Sequence, residues 1–203
     1  MAKKEFKQRK QIHLKGFNYS SHECIFFITI CTAKKQAYFS NPNICETIIN
    51  ELEYRCAKKE IKLFCYCIMP DHLHILISLE ENYTKRKGAF GERTLQNWVS
   101  AFKRYTARSI GQMYHVETLW QKNFYDHVVR REESLIDLCS YILNNPVRRG
   151  MVSAWEEYPY ARMMDGLPRC CIKRWLNQLH APIKRLFLPF CRRPRGPHGP
   201  EGG

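Results

Sequence analysis

His72 and His74 are the side chains best placed by type and spacing to do chemistry. They lie in the run Ile68-Met69-Pro70-Asp71-His72-Leu73-His74-Ile75-Leu76-Ile77-Ser78-Leu79. After the Pro70-Asp71 turn signal the apolar residues are β-branched or leucine, which is a strand composition. Residues two apart in a strand share a face, so both imidazoles point one way while Leu73 and Ile75 point the other. Two histidines one pleat apart make half of a metal site and need at least one more ligand from elsewhere in the chain. Asp71 has two readings: an acceptor for the second N–H of His72, as a ligating histidine requires, or a plain turn aspartate after Pro70.

The second informative stretch is Trp120-Gln121-Lys122-Asn123-Phe124-Tyr125-Asp126-His127-Val128-Val129-Arg130, followed by Ser140-Tyr141-Ile142-Leu143-Asn144-Asn145-Pro146-Val147-Arg148-Arg149-Gly150. Between them Leu135, Leu138, Cys139 and Ile142 follow helical spacing, so an amphipathic helix is expected. Ser134 and Asp137 have the spacing of a capping box at its start, and Pro146 ends it near Asn145. Tyr141 and Asn145, four apart, then stack on one helix face beside the apolar stripe. They read either as a rim tyrosine with a helix cap, or as a functional pair. His127 reads as a structural histidine, with a supporting or partner-contacting role as the alternative. Trp120 and Phe124 read as core.

Taken in order, His-hydrophobe-His, Trp-Gln-x-x-Phe-Tyr-Asp-His-x-x-Arg and Tyr-Ile-x-x-Asn-Pro-Val-x-x-Gly resemble the REP-associated tyrosine transposases. These are bacterial relatives of the single-tyrosine insertion-sequence transposases, within the HUH endonuclease superfamily. The resemblance covers roughly residues 12 to 160. It implies that His72 and His74 are paired metal ligands, that Asn145 is the third, and that Tyr141 is the nucleophile. The implied reaction is nicking and rejoining of single-stranded or hairpin DNA, of the REP type, through a 5′-phosphotyrosine.

The residue types suit that chemistry. A tyrosine in neutral water is almost wholly protonated, with a pKa near ~10, and a phosphodiester is anionic. A divalent cation polarises the phosphate and offsets charge on the leaving oxygen. The family implies Mg2+ or Mn2+; imidazole ligands favour manganese of the two. Zinc more often brings a cysteine or a further histidine. Two other readings stay open: a nucleic-acid-binding protein that no longer cleaves, and a metal-dependent phosphodiesterase using water.

Lys and Arg number 33 against 19 Asp and Glu, a formal charge of +14, which favours a polyanionic partner such as DNA. Basic residues gather at both ends of the chain. Lys103, Arg104 and Arg108 fall on an expected helix, Thr94 to Ile110, with Trp98, Phe102 and Tyr105. Lys122, Arg130, Arg131, Arg148 and Arg149 flank the candidate site in sequence and are the better DNA contacts.

The elements that must position these residues follow from patterning. A first strand, Cys24 to Thr32, precedes a helix from Asn43 to Lys59 with Ile44, Ile48 and Leu52 on its stripe. Ile61–Met69 and His72–Leu79 form a hairpin, Thr94–Ile110 the second main helix, and Phe124–Arg130 a fourth strand before the tyrosine helix. This order suggests an α+β, ferredoxin-like split βαβ sandwich of HUH type, an antiparallel sheet with helices packed on one face. At 203 residues the chain suits one domain with a real core. We expect that domain over 1–165, a C-terminal extension over 166–190 and a disordered basic tail over 191–203. There is no apolar run long enough to span a membrane and no secretory h-region. The ten cysteines read as reduced thiols, mostly buried, with a metal role for Cys170, Cys171 and Cys191 a minor alternative. A bacterial cytoplasmic protein associated with the nucleoid through DNA, acting as monomer or homodimer, is the expectation.

Overall fold

The computed structural model describes residues 16–86, 93–130 and 133–164. The basic N-terminal run to Lys15, Arg131, the extension and tail beyond 165, and Cys170, Cys171 and Cys191 lie outside the described residues.

Five strands form one antiparallel sheet: β1 (Ile25–Cys31), β2 (Ile61–Met69), β3 (His72–Leu79), β4 (Tyr125–Val128) and β5 (Ala161–Met163), in the order β4-β1-β3-β2-β5. The first four have the ferredoxin-like arrangement, with β3 inserted between β1 and β2. The β2–β3 hairpin has the bounds expected from its composition. The fourth strand is shorter than expected, and β5 was not anticipated: three residues, Ala-Arg-Met, carry no strand signal.

The helices are α1 (Pro42–Ala57), α2 (Glu81–Thr84), α3 (Leu95–Tyr114), α4 (Leu135–Leu143) and α5 (Asn145–Arg148). α1 starts where the Asn41 side chain accepts from the Asn43 N–H at 3.0 Å, with Pro42 at the first helical position. α3 opens with a capping box between Thr94 and Asn97 and runs four residues beyond the expected Ile110. It stops at His115, whose left-handed φ of 54° breaks the helical ladder.

Alternation along the strands splits the sheet into two unlike faces. On one, Phe26, Ile28, Ile30, Leu73, Ile75 and Ile77 pack with Ile44, Ile48 and Leu52 of α1 and with Trp98, Val99 and Phe102 of α3. Each such side chain fully buried stabilises by about 1.5–3 kcal/mol before conformational entropy is set against it. The other face carries His72, His74 and Leu76, with α4 laid across β2, β3 and β5. The expectation of helices on one face therefore holds for the long pair, α1 and α3, and is corrected for α4. The physical reason lies in β3 and β2: both are buried on both faces along most of their length, so each side of the sheet needs cover. Among the described residues no helix is long and apolar enough to cross a membrane.

Candidate active site

Strand register assembles the site from residues far apart in sequence. Tyr125, Thr29, His74, Cys67 and Ala161 form one row across the sheet; His127, Phe27, Leu76 and Cys65 form the next. His72 pairs with Cys31 on one side and Met69 on the other.

The two imidazoles meet edge to face, with ring centroids 4.6 Å apart and the Nε2 atoms separated by 3.1 Å. Each outer nitrogen is held. His72 Nδ1 lies 2.6 Å from Asp71 Oδ1, and His74 Nδ1 lies 2.8 Å from Thr29 Oγ1. Asp71 thus takes the orienting role of its two readings. Lys35 and Arg149 stand 3.6 and 3.8 Å from its carboxylate. Burial raises the Asp71 carboxyl, but the hydrogen bond and charge of His72, with Lys35 and Arg149, outweigh it and hold the group well below the usual range. Burial lowers both histidines. Asp71 opposes this at His72, whereas at His74 the charges of His72, Arg148, Lys35 and Arg149 add to it. Both rings are held neutral, the form that ligates metal.

The spacing fits a shared cation. Two nitrogens about 2.1 Å from one ion and at right angles to each other lie about 3.0 Å apart. The Nε2 pair has nearly that separation already, and each outer nitrogen faces an oxygen able to accept its N–H in the ligating tautomer. Among the described residues no group of three or more His, Cys, Asp or Glu side chains could hold a metal. Burial pushes the facing Cys67 thiol up to about 12 despite Arg148, leaving it a thiol at neutral pH.

Tyr141 lies on α4, half-buried, on this same face. Its ring is 6.3 Å from that of Phe27, which in turn is 5.4 Å from the His74 ring. Leu138, Cys139, Ile142 and Leu143 are buried and seat the helix. Ser134 caps its start by accepting from the Asp137 N–H at 3.3 Å.

Asn145 is not on the same helix as Tyr141: α4 ends at Leu143 and α5 begins at Asn145. Pro146 is the cause, since it has no N–H to offer the Ile142 carbonyl. The Asn145 side chain replaces that donor, its amide nitrogen reaching Ile142 O at 2.9 Å and Tyr141 O at 3.3 Å. Its Oδ1 accepts from Arg148 Nη2 at 2.8 Å. Gly150 closes the turn with φ +66°, Met151 N–H returning to Pro146 O at 2.9 Å. That conformation, rather than any crowding, accounts for the glycine of the motif.

The remaining sequence candidates fall in different places. Arg148 stacks 4.1 Å over the Tyr141 ring. Lys122 and Arg130 are exposed at the two ends of β4, and Arg104 and Arg108 are exposed on the outer side of α3 with Tyr105. Lys103 is turned inward instead, its ammonium donating to Gln121 O and Lys122 O at 2.6 and 3.0 Å. His127 bonds Glu133 through Nε2 at 2.8 Å, beside the site. Trp120 is core, donating to Thr106 Oγ1 at 2.9 Å, and Asp126 accepts from Tyr19 at 2.7 Å. Thr29 is the site residue that sequence reading missed. It lies 45 residues from His74 in the chain, and only strand register brings the two together.

The chain is 28% identical over 172 residues to an uncharacterized protein of Haemophilus influenzae, covering 73% of this chain and 91% of that one. It is 25% identical over 143 residues to a putative REP-associated tyrosine transposase of the same organism, covering 67% of this chain and 77% of the relative. Among solved structures, a REP-associated tyrosine transposase bound to a REP hairpin superposes with a TM-score of 0.52 at 17% identity, over 77% of this chain and 82% of its own, a likeness of fold. The model for IS200-like transposases matches residues 20–145, most of the described sheet together with His72, His74 and Tyr141, and the chain belongs to that family.

Proposed function

We propose that the protein is a metal-dependent DNA strand transferase that nicks and rejoins single-stranded or hairpin DNA through Tyr141. The observation that carries this reading is the histidine pair, Nε2 atoms 3.1 Å apart with both outer nitrogens held, on the sheet face that α4 covers with Tyr141. His72, His74 and the Asn145 amide oxygen would hold the ion, Mg2+ or Mn2+. When bound, the ion polarises a non-bridging phosphate oxygen and offsets charge on the leaving oxygen.

Tyr141 attacks phosphorus in line. The new bond is tyrosine oxygen to phosphorus, the bond to the 3′-oxygen breaks, and that oxygen leaves as a 3′-hydroxyl with the proton Tyr141 gives up. A 3′-hydroxyl attacking the 5′-phosphotyrosine reverses the step, so strands rejoin without an external energy source. Asp71 and Thr29 fix the imidazoles, and Phe27 sets the spacing between His74 and the tyrosine ring. Lys122, Arg130 and Arg148 contact phosphates near the site, with Arg104 and Arg108 as a more distant set. The relatives' names support REP-type hairpins as substrate. Action as monomer or homodimer in a bacterial cytoplasm, on the nucleoid, fits the same reading.

The test is a 3′-end-labelled hairpin with a single-stranded flank, incubated with protein and Mn2+ and resolved on a denaturing gel. A labelled protein band that Tyr141→Phe removes is the expected result. Free nicked product without an adduct would replace this reading with hydrolysis by water. Binding without either product would leave a non-cleaving DNA reader.

A further inference from the structure

Arg148 makes three contacts that all bear on the nucleophile turn. Its guanidinium carbon lies 4.1 Å above the Tyr141 ring centroid, Nη1 donates to Tyr141 O at 2.9 Å, and Nη2 donates to Asn145 Oδ1 at 2.8 Å. The Asn145 amide nitrogen is meanwhile spent on the carbonyls of Tyr141 and Ile142. The oxygen that would complete the metal site is therefore held by a cation, and that cation also acts on His74. A dication entering beside His72 and His74 meets this positive charge, and the Asn145 oxygen it would take is already engaged in a charge-assisted bond.

We infer that Arg148 is a positioning residue that couples DNA to metal: without DNA it retains Asn145 Oδ1 and opposes the ion, and a DNA phosphate drawing its guanidinium away frees that oxygen to complete the site. The inference rests on the reading of Asn145 as third ligand. A bidentate guanidinium suits the exchange, because phosphate offers the same planar pair of acceptors as a stronger partner than an amide oxygen. Until that exchange, stacking on the ring keeps Tyr141 oriented.

The experiment measures Mn2+ affinity of the full chain by electron paramagnetic resonance, with and without an unlabelled hairpin, in a Tyr141→Phe background that prevents turnover. Arg148→Met removes both charge and donors. It should bind Mn2+ roughly tenfold more tightly than the parent when DNA is absent, the size expected for loss of one charge-assisted hydrogen bond. The hairpin-induced gain in Mn2+ affinity should shrink by the same factor. A purely structural Arg148 would do the opposite, since loosening the turn lowers affinity. Unchanged or weaker Mn2+ binding by a folded Arg148→Met protein overturns the inference. Arg148→Gln, which keeps a donor and drops the charge, decides in the same way if the methionine variant does not fold. Asn145→Ala separates the two levels. If it leaves Mn2+ affinity unchanged, the ligand reading fails; if it weakens binding while Arg148→Met has no effect, only the Arg148 inference fails.

Discussion

Thr29→Val isolates one hydrogen bond of the proposed metal site. Asp71 accepts from His72 Nδ1 at 2.6 Å, so the His72 proton sits on Nδ1 and its Nε2 offers a lone pair. The 3.1 Å Nε2–Nε2 contact then needs the proton of His74 on Nε2, which makes His74 Nδ1 the acceptor of the Thr29 hydroxyl at 2.8 Å. An ion between the rings requires two lone pairs, so the His74 proton moves to Nδ1 and Thr29 becomes the acceptor. A hydroxyl serves both states by rotating about its C–O bond; a methyl serves neither. The loss in the metal-bound state is that of an outer hydrogen bond to a ligating histidine, about 10–100-fold in metal affinity, or about 1.4–2.7 kcal/mol. The folded apo protein should lose only about 1 kcal/mol, the net worth of one neutral hydrogen bond. Calorimetric titration with Mn2+ and urea unfolding of the same preparations give both numbers. Thr29→Ser should recover most of the metal affinity, because it restores the rotor. Mn2+ binding by Thr29→Val at parental affinity, or a serine variant as poor as valine, would refute the tautomer argument.

Neutralising Arg130 as Arg130→Gln should weaken hairpin binding and reduce the slope of log affinity against log salt by about one, measured by fluorescence anisotropy across a salt series. Gly150→Ala should cost about 1 kcal/mol in urea unfolding, because φ +66° strains any side chain and no contact compensates. The metal-free protein should lose stability as pH falls below about 6.5, the ordinary histidine pKa. His72 and His74 are lowered in the folded state, so the unfolded chain takes up protons first; their contribution is full above that value and is lost as pH falls towards their folded values. Thermal unfolding from pH 8 to pH 5 checks the sign, and saturating Mn2+ should move the fall to lower pH.

The histidine pair and its strand were legible because period-two alternation and a Pro-Asp turn are local signals, and the hairpin around them has the expected bounds. Tyr141 was placed on a helix for the same reason, since Leu138, Cys139 and Ile142 state its buried face. What local pattern does not carry is the relation between elements. Nothing near Thr29 says that it will stand opposite His74, and nothing in Lys103 distinguishes an outward cation from one folded onto the Gln121 and Lys122 carbonyls. The break between Tyr141 and Asn145 was written in Pro146, but not that the asparagine side chain would stand in for the missing backbone donor. The placement of α4 on the face opposite α1 and α3 likewise follows from sheet order, which becomes visible only when the strands are paired.

The sheet order also divides stiffness within the site. β3 is the middle strand, laddered to β1 on one side and β2 on the other, so His72 and His74 cannot separate unless the sheet itself opens. Tyr141 rides on a nine-residue helix packed on the sheet rather than laddered into it, and a proline-broken turn follows it. Compliance is thereby confined to one partner: in the proposed reaction the histidine pair would serve as a fixed reference, and the adjustment that seats a strand of DNA would be taken up by the tyrosine.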